Sequence, residues 1–560
     1  SHQGFNFPVN EELLEALTAL DLSADARHPI VFENSCVYMR RYYQFEQTLM
    51  QEFTERSTQR LPISATELSD VIQQLFPPLA NEQATAIDWQ KIAVANAMNK
   101  NFTVIAGGPG TGKTYTVTKL LAALVMLNKI TKANVANHKG LEIALVAPTG
   151  KAAQRLSESI IKAISGFSTL ISDNILAAIP TEAKTIHRLL GVIPNSPNFR
   201  YNQNNLLSCD VLLIDEVSMV DLPMMTRIFR ALKKSAKIIL LGDADQLPSV
   251  AVGSVLADIA PRPHSGYSTD NAEYLAQVCQ IDLLQLNNAF KPTGKPSDHL
   301  SFLVTSRRFD GEGGIGKLAA HVIKGESKQS WQLLQSEGNN QTSQLALVEG
   351  DLHSWLSPLV KEYYQGISQC NHIEEAFELL AQFRILCVTR QGEFGVDAIN
   401  QWVKEQLAIN MAQPWGHAQE NYHGMPIMIT ENDYRLGLFN GDIGLLWRTS
   451  SASGNNQLMA FFEQPKDENG ETRYKTLLPS RLPKFDSVYA MTIHKTQGSE
   501  FGHVAMVLPK QSNNSLLSRE LLYTGITRAK SKLTIASNKQ VWQQGVTSAV
   551  KRYSGLKIVG

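Results

Sequence analysis

One glycine-rich stretch constrains the fold of this chain more than any other part of its sequence. Residues 103–120 read TVIAGGPGTGKTYTVTKL. Thr103 to Ala106 form a short apolar, β-rich run, and Gly107 to Thr114 fill every fixed position of G-x-x-x-x-G-K-[ST] before a helix-compatible sequence. The glycines of such a loop let backbone N–H groups point at phosphate oxygens, and the next helix presents its positive end to the same charge. The stretch therefore predicts a strand, a phosphate-binding loop and a helix.

The same loop predicts that a nucleoside triphosphate binds together with Mg²⁺. Lys113 is expected to reach the β- and γ-phosphates, and the Thr114 hydroxyl to hold Mg²⁺. Upstream, Gln90 lies on a helical pattern, where its amide can contact two edges of an adenine ring, although a glutamine on a helix is more often only solvated. The expected contacts of ATP in and before the loop are Gln90, Gly107, Gly108, Pro109, Gly110, Thr111, Gly112, Lys113, Thr114 and Tyr115.

Composition limits the class of protein without identifying a partner. With 560 residues, the chain is long enough for about three or four domains. Hydrophobic residues make up 43% and charged residues 19%, which is typical of globular rather than disordered proteins. Lys plus Arg and Asp plus Glu number 52 each, so any nucleic-acid surface must be local. No segment approaches the roughly eighteen uninterrupted apolar residues of a membrane span.

The cysteines and the first residues bear on where the chain works. Its 5 cysteines are widely spaced and form no C-x-x-C pair, which argues against a zinc site and against a disulfide framework. A reduced, cytoplasmic protein is therefore expected. The sequence begins with Ser1 and His2 rather than Met, which indicates a tag remnant or a truncation.

Two further apolar runs end in residues that suit ATP hydrolysis. Val211 to Glu216 read VLLIDE, a buried-strand pattern that ends in two carboxylates. Because this run follows a phosphate loop, Asp215 is expected to hold the Mg²⁺ shell and Glu216 to orient or deprotonate the attacking water. The run Lys237 to Leu241 leads into GDADQLPSV, where the amide of Gln246 can sense the γ-phosphate. Each run is expected to be a buried strand.

A third apolar run, Ile143 to Ala147, ends in PTGKAAQRL. A strand that ends in Pro-Thr-Gly and is followed by a helix belongs on the ligand side of a parallel sheet. Because the nucleotide already has its loop, a phosphate held by Thr149 and Lys151 is better explained as part of a polynucleotide backbone. TIHRLLG follows, and the stretch 192–206 contains Phe199-Arg200-Tyr201, which suits either base stacking or a surface hairpin without a role.

The remaining stretches predict further domains around this α/β unit. Residues 1–80 mix helical patterns with one strand-like patch at 30–39, which indicates a small accessory or docking domain. Residues 261–296 are expected to be loop-rich, and residues 316–380 helical. From 416 to 484, short alternating runs with turn signals predict a small antiparallel β-barrel inserted between α/β elements.

Arginines distant from the loop suggest how hydrolysis is accelerated. Arg308 lies beside Arg307 after a strand-like run, and Arg528 lies near the end of the chain. For the pair, a buried arginine facing a carboxylate is the structural alternative to a γ-phosphate contact. An arginine that reaches the developing γ-phosphate charge accelerates hydrolysis by about a thousandfold or more. If Arg308 and Arg528 lie on a second α/β domain, ATP binds in a cleft whose closing and opening can drive movement along a strand.

Taken together, these motifs resemble those of superfamily 1 helicases, and among them the family of RecD subunits (alpha chains) of exodeoxyribonuclease V. The resemblance covers about residues 80–537 and runs, in chain order, through GGPGTGKT, APTGKAAQRL, TIHRLLG, LLIDEVSMVDLPMM, GDADQLPSV, SRRF, FGVDAIN, GLFNGDIG, IHKTQGSEF and YTGITRA. It implies an α/β fold with two RecA-like P-loop domains built on parallel sheets, a small, mostly helical N-terminal domain and an inserted SH3-like β-barrel.

The resemblance also implies a role for each matched position. The residues implied in catalysis are Lys113, Asp215, Glu216, Gln246, Arg308 and Arg528. Mg²⁺ is implied at Thr114 and Asp215, and Gly498 and Glu500 are implied as further nucleotide contacts. The residues implied near single-stranded DNA are Thr149, Lys151, His187, Thr492 and His494. The stretch around Phe199 is implied to be the family's strand-separating hairpin.

The expected domain order follows from the same match. It runs from an N-terminal accessory or partner-docking domain to a first RecA-like domain with a hairpin insertion at about 192–206. A second RecA-like domain follows and is interrupted by the β insertion. The expected ranges are 1–80, 81–296, 297–414, 415–485 for the insertion, and 486–560.

The implied activity is that of an ATP-dependent DNA helicase moving 5′ to 3′ on single-stranded DNA in double-strand break repair and recombination. The implied partners are duplex DNA ends and RecB-like and RecC-like subunits, with no membrane and with nuclease activity only through a partner. The amino-terminal part is shorter than the family's partner-binding region, so a stand-alone helicase of the same lineage, or an RNA helicase on the same scaffold, is an alternative. Another is an ATP-dependent clamp or regulatory subunit without productive unwinding.

Overall fold

A computed structural model describes residues 8–58, 64–77, 87–131, 140–306, 308, 313–338, 343–409, 421–450, 456–464, 472–511, 514–550 and 554–556, apart from residues 21, 26, 35, 252, 254, 292, 293 and 434. The expectations for Arg307 and for the boundaries at residues 80 and 414 lie outside this set. Within it, three sheets of five or six strands carry the fold, and a two-stranded hairpin lies near the amino end. Of the helices in these ranges, none is long and apolar enough to cross a membrane.

The amino-terminal part consists of helices and a hairpin. Its elements are α1 (Asn10–Ala19), β1 (Ile30–Glu33), β2 (Cys36–Met39), α2 (Arg40–Thr58) and α3 (Ala65–Leu75). The predicted single strand-like patch is therefore two antiparallel strands. Asn34 lies between them with a φ of 51°, in the left-handed region that asparagine tolerates better than most residues, and so permits the reversal.

Helices α2 and α3 pack into the first α/β unit. Phe53 of α2 stacks on Phe102 with ring centroids 4.7 Å apart, and the buried Arg56 donates hydrogen bonds to the carbonyls of Lys233 and Ala236. The apolar side of α3 joins the core on the opposite face of the same unit. These two helices therefore share the cores of that unit, while the proposed domain boundary at residue 80 stays a prediction.

The first α/β unit alternates strands and helices around a six-stranded sheet. Its elements are α4 (Trp89–Met98), β3 (Phe102–Gly107), α5 (Lys113–Thr131), β4 (Ile143–Ala147), α6 (Gly150–Ser165), α7 (Asp173–Leu176), β5 (Lys184–Thr185), α8 (Ile186–Leu190), β6 (Val211–Ile214), α9 (Leu222–Arg230), β7 (Lys237–Gly242), α10 (Val255–Ile259), α11 (Thr269–Cys279), α12 (Leu283–Asn288) and β8 (Leu300–Leu303). A 3₁₀ turn covers Val217–Met219. The strands lie in the order β5-β4-β6-β7-β3-β8, and every pairing is parallel.

Both faces of this sheet are buried, as a parallel sheet requires. Along β3, Ile105 faces a core that includes α5 and α6, whereas Val104 and Ala106 face a second core that includes α9. The carboxyl ends of the parallel strands meet at one edge, which is where ligands bind in such sheets. The phosphate loop after β3 and the carboxylates after β6 therefore reach the same edge.

The stretch 261–296 was expected to be loop-rich, and that expectation is wrong because it contains two helices. Helix α11 begins after Ser268, whose hydroxyl accepts a hydrogen bond from the N–H of Asn271, and α12 begins after Asp282, whose carboxylate accepts one from Leu284. These caps stabilise the starts of short helices, and α11 packs against α3 and α4. Strand β8 then pairs with β3, so the first sheet extends past residue 296.

The remainder of the chain forms a second α/β unit and the insertion within it. The elements before the insertion are α13 (Gly314–Ile323), α14 (Ser327–Glu337), β9 (Leu345–Val348), α15 (Leu352–Leu359), a π-helical turn (Val360–Gln365), α16 (Ile373–Gln382), β10 (Phe383–Cys387) and α17 (Val396–Ile409). Those of the insertion are β11 (Met425–Ile429), β12 (Ile443–Ser450), β13 (Asn456–Gln464), β14 (Arg473–Leu477), a 3₁₀ turn (Pro479–Arg481) and β15 (Phe485–Ser487). The chain ends with β16 (Ala490–Thr492), a 3₁₀ turn (Ile493–Thr496), β17 (Phe501–Val507), α18 (Arg519–Ile526), β18 (Ala529–Ala536) and α19 (Lys539–Thr547).

The second α/β unit has a five-stranded parallel sheet in the order β16-β10-β17-β18-β9. Its faces are covered by two cores that alternate along β17, with Val504 in one core and Ala505 in the other. Strand β9 lies in the stretch 316–380, which was expected to be helical throughout. Its four residues are too few to show a period of two in the sequence, and it lies at the sheet edge beside β18.

The insertion is an antiparallel sheet in the order β14-β13-β12-β11-β15. The predicted antiparallel pattern is confirmed, and closure of this sheet into an SH3-like barrel stays a prediction. Its apolar face has no separate core in the described part of the chain: Ile427 and Leu445 pack in the same core as Phe383 and Ala505 of the second α/β unit. The insertion and the second α/β unit are therefore joined by packing as well as by the chain.

Candidate functional site

The loop between β3 and α5 has the backbone that its glycines predict. Gly110 and Gly112 have φ values of 75° and 81°, which residues with a Cβ rarely adopt. The hydroxyl of Thr111 donates to the carbonyl of Gly108 at 2.8 Å and closes the loop on itself. Helix α5 begins directly at Lys113, so the loop lies at the positive end of a helix.

Lys113 and Gln90 both contact this loop. The Lys113 ammonium donates to the carbonyls of Gly107 at 2.7 Å and Gly108 at 3.1 Å, so the charge lies over the loop. The amide of Gln90, from the first turn of α4, donates to the carbonyl of Thr111 at 3.1 Å. Both side chains are therefore placed at the loop, where the sequence predicts their contacts with phosphate and adenine.

The two acidic residues after β6 are linked by one hydrogen bond. The N–H of Glu216 donates to the Asp215 carboxylate at 2.8 Å. Burial, and then the charge of Glu216, raises the pKa of Asp215 to about 6, and the charge of Lys113 opposes this shift. Glu216 has a φ of 51°, a left-handed conformation that is uncommon for a residue other than glycine. Such strain is often found at functional sites, and here it falls on a predicted catalytic residue.

A buried hydrogen-bond cluster after β7 joins the two α/β units. The Asp243 carboxylate accepts from the Gln246 amide at 3.2 Å and from the Tyr523 hydroxyl of α18 at 2.9 Å. The carbonyl oxygen of the Gln246 side chain is buried and has no hydrogen-bond partner in the part of the chain that the structure describes. A methyl group at Gly108 would lie 3.0 Å from the Tyr523 hydroxyl, so this tyrosine also touches the phosphate loop.

Arg528 brings a buried positive charge from the second α/β unit into the cleft. Its guanidinium donates to the carbonyls of Thr524 at 3.0 Å and Ser499 at 3.1 Å, and its side chain is buried. Burial lowers the pKa of Arg528, while the charges of Glu216 and Glu500 oppose the shift. The guanidinium therefore lies within electrostatic reach of a predicted catalytic carboxylate of the first unit.

Arg308 lies at the first sheet, and the expectation that it belongs to the second α/β domain is wrong. Strand β8 pairs with β3, so the chain that leaves β8 is still at the carboxyl edge of the first sheet when it reaches Arg308. A methyl group at Gly110 would meet the Cβ of Arg308 at 2.3 Å. One guanidinium nitrogen, Nη2, donates to Glu500 at 2.7 Å, and the other, Nη1, is buried without a hydrogen-bond partner among the described residues.

Glu500 collects positive charges from both units. Its Oε1 pairs with Arg308, and its Oε2 pairs with Arg155 of α6 at 2.8 Å and with Lys530 at 3.8 Å. Burial alone would raise the pKa of Glu500, but Arg155, Arg308 and Lys530 together lower it to about 2. Arg155 also donates to the carbonyl of Gly498 at 2.7 Å, so Gly498 and Glu500 contact α6.

These residues fit a nucleoside triphosphate with a divalent cation. The buried Nη1 of Arg308 is a donor without a partner, which suits an anionic oxygen. Burial, followed by the charge of Glu216, raises the pKa of Asp215, and a cation bound there would stabilise its ionised form. Thr114 follows Lys113 in the first turn of α5, so its hydroxyl is available as an oxygen ligand there.

Residues predicted to contact DNA meet the insertion at the start of α6. Thr149 caps this helix by accepting from the N–H of Ala152 at 3.2 Å. Lys151 is half-buried, and burial, followed by the charges of Arg384 and Arg155, lowers its pKa to about 8. Phe439 of the insertion lies 3.7 Å from a methyl group built at Gly150.

His187 lies on the exposed side of α8, next to the stretch 192–206. Its ring meets that of Phe199 edge to face at 5.8 Å, and Phe199 packs partly inward against Arg227. The stretch itself forms only isolated bridges, Val192–Phe199 and Asn202–Asn205, rather than a regular hairpin. Arg200 and Tyr201 are exposed, so the part of this stretch that faces solvent is aromatic and basic.

The other predicted DNA contacts lie on the second unit. Thr492 ends β16, and His494 lies in the 3₁₀ turn that follows. His494 lines a cavity of about 370 Å³ together with Leu247 and Pro248 of the first unit. The second unit thus places these residues beside the chain that follows β7, at the junction of the two units.

The sequence did not single out Arg155 and Tyr523, although both lie inside matched motifs. Arg155 is four residues after Lys151, a helical spacing that puts both on one side of α6. That spacing was the available signal, but a partner 345 positions later cannot be inferred from it. Tyr523 lies in YTGITRA on a largely buried helix, and no signal in the sequence marks its hydroxyl as a contact of the first unit.

Family comparisons match both ends of this site. Residues 90–252 match a family described as an AAA domain. Residues 487–536 match a family described as a UvrD-like helicase C-terminal domain. The first range contains the phosphate loop and the carboxylates after β6, and the second contains Glu500, Tyr523 and Arg528.

Whole-chain relatives are more specific. The chain is 36% identical over 558 residues to the RecBCD enzyme subunit RecD of Haemophilus influenzae, covering 94% of this chain and 80% of that protein. It is 32% identical over 561 residues to the RecBCD enzyme subunit RecD of Mycobacterium tuberculosis, covering 100% and 86%. It is 27% identical to the ATP-dependent RecD2 DNA helicase of Deinococcus radiodurans, covering 83% and 50%.

Among solved structures, the chain is similar to a Bacteroides Pif1 helicase in complex with ADP-AlF3 and single-stranded DNA. The TM-score is 0.39 at 17% identity, over 82% of this chain and 94% of that one. The whole-chain identities above 30%, over most of both proteins, settle the relationship. The chain belongs to the RecD family of helicases.

Proposed function

We propose that this chain is an ATP-dependent DNA helicase that moves 5′ to 3′ along single-stranded DNA in the cytoplasm. In this proposal it acts as the RecD subunit of a RecBCD-type complex, with RecB-like and RecC-like partners, in double-strand break repair and recombination. The membership in the RecD family supports the activity and the partners. The direction of movement rests on the family alone.

The observation that carries the proposal is the contact of both α/β units at one phosphate loop. Tyr523 of the second unit hydrogen-bonds Asp243 of the first and lies against Gly108. Arg528 of the second unit lies in the field of Glu216 of the first. A change at the loop is therefore felt by both units, which is the requirement for turning hydrolysis into movement.

The proposed roles at the loop follow from charge and position. Lys113 binds the β- and γ-phosphates, and the loop N–H groups bind the remaining phosphate oxygens. Gln90 contacts the adenine, and Gln246 senses the γ-phosphate through the amide next to Asp243.

The proposed roles in hydrolysis divide between the carboxylates and the arginines. Glu216 orients or deprotonates the attacking water, and Asp215 and Thr114 are the residues that would hold Mg²⁺. When bound, Mg²⁺ neutralises charge on the phosphate oxygens. Arg308 and Arg528 stabilise the charge that develops on the γ-phosphate.

The proposed DNA path crosses both units, from the start of α6 to the 3₁₀ turn after β16. Thr149 and Lys151 at the start of α6, with His187, bind the strand on the first unit. Thr492 and His494 bind it on the second unit. The two groups of DNA-binding residues belong to different units. A change in the separation of the units therefore changes the distance between the two groups, and the strand advances.

A strand-displacement assay with 5′-tailed and 3′-tailed duplexes tests activity and direction together. We expect unwinding of the 5′-tailed duplex that requires ATP and Mg²⁺, and little unwinding of the 3′-tailed one. Co-purification with RecB-like and RecC-like chains tests the proposed assembly. ATP hydrolysis on single-stranded DNA without displacement of a tightly bound block would instead assign the chain as a clamp.

A further inference from the structure

We propose that Arg155 is a positioning residue that couples the DNA-binding end of α6 to Arg308, with Glu500 as the link. The inference rests on the proposed function and adds to it the route by which DNA affects ATP turnover. Arg155 belongs to the first unit and Glu500 to the second, so the pair crosses the junction between them. Arg308 is the third member, and it packs on the phosphate loop.

The geometry shares one carboxylate between two arginines. Arg308 Nη2 pairs with Oε1 of Glu500 at 2.7 Å, and Arg155 Nη2 pairs with Oε2 at 2.8 Å. Each oxygen therefore has its own guanidinium, and the carboxylate cannot turn toward one arginine without weakening its bond to the other. The Glu500 side chain is only 15% exposed, so water competes little for these bonds.

Arg155 is held at both nitrogens, which fixes its direction. Nη1 donates to the carbonyl of Gly498 at 2.7 Å, while Nη2 binds Glu500. A Cβ built at Gly498 would lie 3.5 Å from that of Ala152, so the segment before Glu500 also packs on α6. The second unit is thus attached to α6 through a backbone carbonyl and a side-chain carboxylate.

Helix α6 connects this attachment to the proposed DNA contacts. Arg155 is six residues beyond Thr149, a rise of about 9 Å along the helix axis. The helix is anchored by buried residues, among them Ala153 and Leu156, so it moves as a rigid element. A strand bound at Thr149 and Lys151 therefore acts on the same rigid helix that holds Glu500.

The effect at the nucleotide arises from the free nitrogen of Arg308. Its Nη1 is buried without a partner, while Nη2 is tethered to Glu500. The orientation of Glu500 therefore sets where the remaining donor of Arg308 points. Arg155, by holding the other oxygen of Glu500, fixes that orientation.

The test compares Arg155→Gln with Lys530→Gln in the full chain. Lys530 reaches the same oxygen of Glu500, but at 3.8 Å and with a side chain that is 55% exposed, so it is a matched control for loss of one positive charge. Steady-state ATP turnover is measured with and without oligo(dT), together with KM for ATP, Kd for oligo(dT) and thermal stability.

We expect Arg155→Gln to lower the oligo(dT)-stimulated kcat by about tenfold, the loss expected for one charged hydrogen bond. KM for ATP and Kd for oligo(dT) should stay within about twofold, since Arg155 acts through Glu500. Lys530→Gln should retain near-normal stimulation. In a Glu500→Gln background, Arg155→Gln should have no further effect on kcat, which an independent structural role would not produce.

If oligo(dT) stimulates Arg155→Gln as strongly as it stimulates the wild-type chain, the proposed role of Arg155 is wrong and the proposed function is unaffected. An additive effect in the Glu500→Gln background, or a large rise in KM, would also overturn that role. If Arg155→Gln does not fold, Arg155→Lys carries the test, because a lysine keeps the charge but cannot bind Glu500 and Gly498 in a fork. A wild-type chain without any stimulation would contradict the proposed function itself, which separates the two failures.

Discussion

The two parallel sheets of this protein are built alike but contribute different things to the cleft between them. Each is covered on both faces, and each places its loops at the carboxyl ends of its strands. The first sheet carries the phosphate loop, which is proposed to bind ATP. It also carries the carboxylates Asp215 and Glu216, which are proposed to hold Mg²⁺ and the attacking water. The second contributes Tyr523, Arg528 and Glu500, all of which point back at the first.

We therefore propose that the loop contacts with ATP depend on the first unit, whereas turnover depends on both units. Lys113, Gln90 and the loop glycines, which are proposed to bind ATP, all lie within the first unit. The groups that respond to developing charge lie partly on the second sheet. Substitution of Lys113 in the first unit should therefore abolish activity, and substitution of Arg528 in the second should spare binding and slow turnover.

The largest expected effect is that of Lys113→Ala, which removes the charge at the phosphate loop. ATP turnover with single-stranded DNA should fall below about one-hundredth of the wild-type value. The fold should persist, since the ammonium bonds only the carbonyls of Gly107 and Gly108 at the surface of the unit. Turnover is measured by phosphate release, and folding by thermal denaturation.

Lys129→Ala is the matched control on the same helix. Lys129 lies in the last turn of α5 and donates to the carbonyl of Asn174, far from the loop. It should keep normal turnover. Unchanged turnover in Lys113→Ala would contradict the assignment of the phosphate loop.

Much of this first unit is predictable from the sequence, and the second unit less so. The strand, loop and helix around Lys113 are local in sequence, and each of Asp215, Gln246 and Thr149 follows a strand that its apolar run predicts. The attachment of Arg308 to the first sheet was missed, because the pairing of β8 with β3 joins residues about 200 positions apart. Strand β9 was missed because an edge strand of four residues has no pattern of its own.

The same limit applies to the contacts across the cleft. Arg528 was predicted by its motif, but the Glu500 pairs with Arg155 and Arg308 join residues 345 and 192 positions apart and become visible only in the folded chain. Sequence patterns specify local structure and the ends of strands. They do not specify which side chains meet between two units.

The next largest effect is expected for Arg528→Ala, which tests the second sheet directly. ATP should still bind, while kcat should fall by about a hundredfold or more, the loss typical of an arginine at the developing γ-phosphate charge. Titration with a fluorescent nucleotide measures binding, and steady-state turnover measures kcat. A binding defect with normal kcat would reverse the proposed division between the sheets.

Because Arg528 is buried, Arg528→Lys is the companion variant. It keeps a positive charge but loses the fork that binds the carbonyls of Thr524 and Ser499. Turnover should again be slow. Arg519→Ala, on the same helix but bonded to the carbonyl of Val546 instead, is the control and should turn over normally.

A smaller effect is expected for Tyr523→Phe, which removes one hydroxyl between the sheets. The lost hydrogen bond to Asp243 should reduce turnover by about tenfold, the lower end of the range for a bond to a charged group, because Asp243 keeps its bond from Gln246. Burial, and then Asp243, raises the pKa of Tyr523 well above its usual value, so the hydroxyl is protonated and donates at any working pH. If Tyr523→Phe lowers kcat as much as Arg528→Ala does, the tyrosine hydroxyl itself acts in catalysis.

The smallest effect is a shared dependence of stability on pH. Burial lowers the pKa of His299 in the first unit and of His503 in the second to about 4. The usual pKa of histidine is about 6.5, so the unfolded chain binds more protons than the native chain as the pH falls from about 6.5 toward 4. Stability is therefore lost on acidification. Each histidine should cost about 1 kcal/mol between pH 7.5 and pH 6.

Denaturant titrations of His299→Gln and His503→Gln at both pH values check this. Each substitution should remove the pH dependence of stability that comes from its own histidine and leave the contribution of the other histidine unchanged. His299 is bonded to the carbonyl of Ile259 and His503 to the hydroxyl of Thr534, so a glutamine amide can replace either imidazole as a hydrogen-bond partner. Identical pH profiles for wild type and both variants would place the acid sensitivity elsewhere.

The core shared by the insertion and the second sheet has a mechanical consequence. Ile427 and Leu445 cannot leave that core without exposing Phe383 and Ala505, so the insertion and the second sheet rotate as one rigid arm. The end of this arm, at Phe439 and Asp442, lies against Gly150 at the start of α6. If the second unit rotates relative to the first, this end moves past Thr149 and Lys151, the residues proposed to bind DNA.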